Sequence, residues 1–334
     1  MMVFRKLLSW GFGLVLLSAL TLSMLVGCGG EEKQYKIGIS QIVTHPALDA
    51  TREGVIAGMA EAGYIEGENV EFDYQTSEGD SSLVASIAQR FVSEPKDAIV
   101  TIATPDSQAT VSAVEGTDIP VIFSAITDPV GAGLVQDWKS HAGENVTGVS
   151  DMIVVGDDIK LIREIIPGLK TLGTVYNAGE DNSVFLTSKL HEIADDLGIT
   201  IVEATVSTTA DVLSASQSLV GKVDAIWIGT DNTVVAGLEA LIKVCEDNKI
   251  PFFPSDAPSI ERGGIAAYGF DYYDIGVQTG RMLARVLEAG GDASKIEVEK
   301  GQVISLSINT AAAKRMGVTL PQAILDKAVT TYDE

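Results

Sequence analysis

The sequence predicts an α/β protein of two similar Rossmann-like lobes, each a parallel sheet covered by helices. Three observations lead there. From Tyr35 onward, short β-branched runs alternate with amphipathic stretches of helix length, the pattern of parallel βαβ units. That alternation then recurs once, nearly in register. The 334 residues are about twice a usual domain, and with 46% hydrophobic and 21% charged residues they can bury a sizeable core, which excludes general disorder.

The first 34 residues stand apart. Arg5 and Lys6 precede an uncharged run from Leu7 to Gly27, a basic start and apolar stretch like those of a secretion signal. At 21 residues the run is long enough to span a bilayer, so length alone leaves a permanent anchor open. The ending Leu25-Val26-Gly27-Cys28 resembles the lipobox of bacterial lipoproteins. The resemblance implies that 1–27 is a signal peptide and that Cys28 is acylated as the mature N-terminus. Residues 28–34, rich in glycine and charge, read as a tether. Two or three acyl chains anchor stably where one is marginal. The expected location is the extracytoplasmic face of a bacterial membrane.

In the body, 36–40 reads as a strand, 47–63 as a helix and 70–75 as a strand. Asp80 then caps a helix to Val92, 98–102 is a strand, and Asp106 opens another helix. The second round follows. Asp97-Ala98-Ile99-Val100 recurs as Asp224-Ala225-Ile226-Trp227, and Ile119-Pro120-Val121-Ile122-Phe123 as Ile250-Pro251-Phe252-Phe253-Pro254. Ile37-Gly38-Ile39 parallels Leu172-Gly173-Thr174-Val175, and Asp80 parallels Asp211. Polar turns, Thr104-Pro105-Asp106 and Thr230-Asp231-Asn232, follow corresponding strands. Residues 238–247 have helical spacing and bury Cys245 as a small hydrophobe. Asp271-Tyr272-Tyr273-Asp274 opens a long helix whose first-turn acids complement its dipole.

Composition narrows the function. With 46 acidic against 23 basic residues, a net charge of −23, the surface repels phosphate backbones, so nucleic-acid binding is excluded. Two cysteines and three scattered histidines, His45, His141 and His191, give no disulfide framework and no metal-ligand spacing; His141 and His191 read as exposed. Val130-Gly131-Ala132-Gly133 lacks the third glycine of a dinucleotide loop, position 136 being Gln. No nucleophile elbow or phosphate loop is present, and nothing calls for a cofactor. In parallel sheets ligands bind beyond the carboxyl ends of strands, where helix N-termini offer free N–H groups, so two facing lobes imply a cleft site.

At this point the residues meet a known group. Gln41–Asp49, Ile102–Pro105, Thr127–Leu134, Asn145–Asp151, Val220–Ile226, Thr230–Val234, Ser255-Asp256 and Tyr268–Tyr273 resemble the substrate-binding lipoproteins of bacterial ABC transporters, tryptophan/tyrosine type. The resemblance covers about 35–317. It implies the type I periplasmic-binding-protein fold with a three-crossing hinge: lobe one 35–150 plus 257–290, lobe two 151–256 plus 301–334. It also implies an aromatic amino acid ligand (tryptophan, tyrosine or phenylalanine), a permease partner, a monomer, and no enzymatic step.

A zwitterion needs donors for its carboxylate, an acid for its ammonium and an apolar slot for its side chain. Thr104 and Ser107 are candidates for the carboxylate, or are plain helix caps. Asp231 is the first candidate for the ammonium, or likewise a cap, with Asn232 beside it. His45 and Gln41 flank the loop after the first strand. Thr127 and Asp128 cross the cleft mouth. Asn177 and Asn182 approach from lobe two, where turn chemistry explains them equally. Asp256 serves the hinge and is a further ligand candidate. Of the strand-end aromatics Tyr176, Trp227, Phe253 and Tyr268, one or two are expected in the cleft. Two other roles stay open: the same fold binding a branched-chain amino acid, sugar or nucleoside, and a ligand sensor or adhesin.

Overall fold

The computed structural model describes residues 34–139 and 145–333; Cys28, the leader and His141 lie outside the described residues. The first half runs β1 (Tyr35–Gln41), α1 (Pro46–Glu61), β2 (Val70–Thr76), α2 (Ser81–Ser93), β3 (Ala98–Ile102), α3 (Thr104–Ala113), β4 (Val121–Ile126) and β5 (Val146–Ser150). The second continues with α4 (Val155–Ile165), β6 (Thr171–Asn177), α5 (Asp181–Leu197), β7 (Thr200–Val206), α6 (Val212–Ser218), β8 (Ala225–Ile228), α7 (Asn232–Ala236), α8 (Leu238–Asn248) and β9 (Phe252–Pro254). Then come α9 (Ala257–Arg262), β10 (Ala266–Phe270), α10 (Tyr272–Glu288), β11 (Glu299–Lys300), β12 (Ile304–Asn309), α11 (Thr310–Arg315), α12 (Gln322–Lys327) and β13 (Thr330–Tyr332).

The repeat in the sequence is a repeat in topology. One sheet has the order β2-β1-β3-β4-β5-β11, and another β7-β6-β8-β9. Both are parallel, and both start with the same strand exchange. Even the side-chain register is shared. Gly38 lies opposite Ile99, and Gly173 opposite Ile226. A Cβ at Gly38 would stand 2.9 Å from the Phe91 ring, and one at Gly173 3.1 Å from Leu219, so each glycine lets a helix close onto its sheet. The β-branched central strands are buried on both faces, as parallel strands between helix layers must be.

The crossings differ from expectation. Residues 257–270, expected in lobe one, stay with the second sheet: Ile265 N donates to Phe252 O, and β10 pairs antiparallel with β12. The break at Asp256-Ala257-Pro258 is a helix start, with Asp256 capping Ser259 N, and not a crossing. The chain passes back to the first sheet between Phe270 and Asp271. It stays there through α10 and β11, which pairs with β5, and leaves after Lys300. Helices α1 and α10 then pack at backbone distance. A Cβ at Gly54, Gly58, Gly276 or Gly280 would fall 2.0–2.2 Å from a carbonyl of the other helix.

Candidate functional site

Both sheets end, at the carboxyl ends of their strands, on one shared cavity. From the first half it is lined by His45 after β1, Thr104 after β3, Ala125 and Thr127 at the end of β4, and Asp151 after β5. From the second come Asn182 after β6, Thr230, Asp231 and Asn232 after β8, and Asp256 after β9. Ala47, Leu48, Val235 and Tyr272 complete the wall. The two strand orders run the same way across it. His45 meets Asn232 at one end, Thr127 Oγ1 lies 3.2 Å from Thr230 Oγ1 in the middle, and Asp151 and Asp256 repel each other at the hinge end.

The backbone is bent to make this wall. Ala103 (φ 81°) and Ala125 (φ 56°) hold left-handed conformations without being glycine, and the β4–β5 register shifts between Ser124 and Ile126. Such strain costs about 1–3 kcal/mol per residue and persists where surrounding structure enforces it, as at binding sites. It turns Ala125 into the cavity and leaves α3 with no side-chain cap, because Ala103 stands at its N-cap.

Electrostatically the site is acidic. No Lys or Arg lines the cavity among the described residues. Asp151 Oδ2 accepts from Tyr272 Oη at 2.8 Å, while Oδ1 has no partner in the chain. Asp256 Oδ1 accepts from Ser259 N at 2.8 Å, while Oδ2 has none. Burial pushes the Asp151 carboxyl up to about 6, with the Asp256 charge adding to it, and burial raises Asp256 as well. His45 is the reverse case. Burial, helped by the Arg262 charge, pushes its imidazole down to about 3, so it is neutral, and neither ring nitrogen makes a hydrogen bond of good geometry.

Asp231, the first candidate for an ammonium, lines the cavity with both oxygens already engaged. Oδ2 accepts from Asn177 N and Ser183 Oγ, each at 2.6 Å, and Oδ1 accepts from Val234 N at 2.7 Å. Burial, reinforced by the Glu180 charge, holds its carboxyl well above the usual carboxylate range. It is the cap of α7, and Glu180 accepts from the other free N–H groups there, those of Asn232 and Thr233. The N-terminus of α7 is therefore filled by the chain's own acids.

Of the other sequence candidates, His45, Thr104, Thr127, Asn182, Asn232 and Asp256 line the cavity, and four do not. Gln41 turns away to Val43 O and Asp49; Ser107 sits beneath, bonded to Thr101 and Ala103 O. Asp128 caps the turn at Gly131 N, and Asn177 braces Thr233 and Gly179 N. None of Tyr176, Trp227, Phe253 or Tyr268 lines it either. Trp227 and Phe253 are core, and Trp227 Nε1 donates to the buried Asp158. Tyr176 bonds Glu203 at the surface, which His191 also reaches, and Tyr268 lies against Ile153 and Ile304. The cavity aromatic is Tyr272, which the sequence marks only as a helix start. Asp151 closes a matched motif without standing out as a site residue, and Glu180 carries no signal.

The chain matches a family model described as ABC transporter substrate binding protein over residues 36–332. A tyrosine-binding protein of Clostridioides difficile (strain R20291) is 36% identical, with 90% of each chain covered. An ABC domain from Streptococcus pneumonia in complex with L-Trp is 37% identical, covering 90% of this chain and 100% of that one, with a TM-score of 0.85. A ligand-free, open substrate binding protein with adhesive properties from Clostridium difficile is 34% identical over 90% and 99%, with a TM-score of 0.66. At nearly equal identity the chain superposes better on the L-Trp complex than on the open structure, and bonds from Thr127 to Thr230 and from Gln108 to Asp181 hold its two sides together across the cleft. Sheet order, cleft and sequence agree: the chain belongs to the ABC transporter substrate-binding proteins, with the type I periplasmic-binding-protein fold.

Proposed function

We propose that this protein is the lipid-anchored, monomeric receptor of an ABC importer, and that it closes on an aromatic amino acid. Residues 1–27 act as the leader and Cys28 as the anchor. The moving bodies are 35–150 plus 271–300, and 151–270 plus 301–333. The observation that carries the ligand class is the pair Asp151 and Asp256: two buried carboxylates, each with one unpartnered oxygen, in a cavity that no Lys or Arg lines among the described residues. A buried acid pair of this kind calls for a cation, and an ammonium supplies one. The ligand carboxylate goes to Thr104 and the uncapped N-terminus of α3, since α7 is filled. Ala47, Leu48, Val235 and Tyr272 offer the ring an apolar wall. The relatives named for tyrosine and L-Trp support the same class.

The test is thermal unfolding of the chain lacking residues 1–28, refolded to strip carried-over ligand. It is screened against the twenty amino acids, then sugars and nucleosides. At 100 times its Kd a ligand stabilises by about 2.7 kcal/mol, several degrees here. Shifts confined to Trp, Tyr or Phe are expected; a shift with a sugar or nucleoside alone would sink the reading. Asp151→Asn and Asp256→Asn should each weaken the responding amino acid roughly tenfold or more, the worth of a hydrogen bond to a charged group. Lost uptake in a deletion strain would separate transport from sensing or adhesion.

A further inference from the structure

At the end of the cavity away from the hinge stands a side chain with a fixed orientation and one unused atom. Asn182 is buried, 4% exposed. Its Nδ2 donates to Thr230 O at 2.9 Å, and lies 3.2 Å from Glu180 Oε2 and 3.3 Å from Ser183 Oγ. Exchanging the amide's nitrogen and oxygen would press oxygen against a carbonyl and a carboxylate, so the surroundings decide the assignment. Oδ1 is then a lone acceptor with no partner in the chain, on a side chain that lines the cavity. Glu180 also holds the neighbouring Asn232 amide, Nδ2 to Oε2 at 2.6 Å, so that neighbour's N–H is committed to the carboxylate.

The position matters as much as the atom. In the order β6-β8-β9, Asn182 follows the first strand and Asp256 the third. Two strand spacings separate them, roughly 10 Å. An amino acid whose ammonium sits between Asp151 and Asp256 therefore extends its side chain toward Asn182.

We infer that Asn182, oriented by Glu180, accepts a hydrogen bond from the ligand's aromatic side chain, so that the site takes a phenol O–H or an indole N–H in preference to a bare ring. The inference rests on the proposed aromatic ligand. A phenyl ring at the same place would bury Oδ1 unpaired, and that penalty corresponds to roughly five- to a hundredfold in affinity.

The experiment is calorimetric titration of the refolded chain lacking residues 1–28, whose described elements form one compact unit from Tyr35 onward. The titrants are L-tyrosine, L-tryptophan and L-phenylalanine, with O-methyltyrosine and 1-methyltryptophan as analogues that lack the donor. Tyrosine or tryptophan should bind at least fivefold tighter than phenylalanine, and methylation should remove that advantage. Asn182→Leu should weaken the donor-bearing ligands tenfold or more while phenylalanine changes less than threefold. Glu180 is a positioning residue, so Glu180→Gln should narrow the tyrosine-to-phenylalanine ratio, which a purely structural role would leave alone. Equal binding of all three by the unaltered protein would overturn the inference and spare the aromatic reading. Equal weakening of all three by Asn182→Leu would overturn it in the same way. Binding of none of them would overturn both.

Discussion

The buried acids tie stability to pH. Asp106 and Asp158 are fully enclosed, and burial pushes each up to about 7, while Asp151 goes to about 6. Asp106 accepts from Ser40 Oγ at 2.8 Å; Asp158 gathers Trp227 Nε1 at 3.1 Å and Ser255 Oγ at 2.7 Å on a single oxygen. A carboxyl raised in the folded state holds its proton longer than in the unfolded chain. Its contribution is complete below the unfolded value near 3.8 and is lost as pH rises through 6 to 7. The ligand-free protein should therefore melt at higher temperature at pH 5.5 than at pH 8. Each such group adds a slope of up to about 1.4 kcal/mol per pH unit. Asp158→Asn, whose amide oxygen can still accept from Trp227 and Ser255, should flatten that slope in melting curves taken across the range. An unchanged slope would mean that Asp158 is ionised in place.

At the scale of elements, α1 and α10 shape the site. Their N-termini, at Ala47-Leu48 and at Tyr272, both reach the cavity, and their axes approach only because four glycines remove side chains from the contact. Gly276→Ala would place a methyl 2.0 Å from Thr51 O, so the helices must separate. A loss of roughly 1–3 kcal/mol or more is expected, read as a lower Tm, with ligand affinity falling because Tyr272 moves. The strands read at 36–40, 70–75 and 98–102 and the helices at 47–63 and 80–92 fall within a residue or two of those observed. They do so because strands buried between layers and capped helices leave local signals, while the elements after Lys300 leave none that is read. The sequence matches give the repeat but not the strand order, which the pairing shows in Gly38 opposite Ile99 and Gly173 opposite Ile226. The site is less legible. An acid after a strand reads alike whether it caps a helix, as Asp231 does, or keeps an oxygen free, as Asp256 does. Tyr272 and Asp151 meet across 121 positions, and no local pattern announces such a pair. Residues 257–270 read as part of the wrong lobe because a capped helix start after a strand looks the same at a crossing and within a lobe.

For the whole molecule, the question is what holds the lobes shut. Away from the hinge, the cavity is bridged by Thr127 and Thr230. A second bridge lies outside it: Gln108 on α3 donates to Asp181 Oδ2, at the first residue of α5, at 2.7 Å, and is steadied by Ala132 O at 3.1 Å. Neither Gln108 nor Asp181 lines the cavity, so this bond distinguishes closed from open without touching ligand. A bond made only in the closed state raises apparent affinity by its net worth, because ligand binds that state. For a partly exposed hydrogen bond that is about 0.5–1.5 kcal/mol, a factor of roughly two to ten. Gln108→Ala should thus speed ligand release several-fold in stopped-flow fluorescence and leave the melting of the empty protein nearly unchanged, since the open form lacks the bond. Release at the original rate would place closure entirely in the ligand's own contacts.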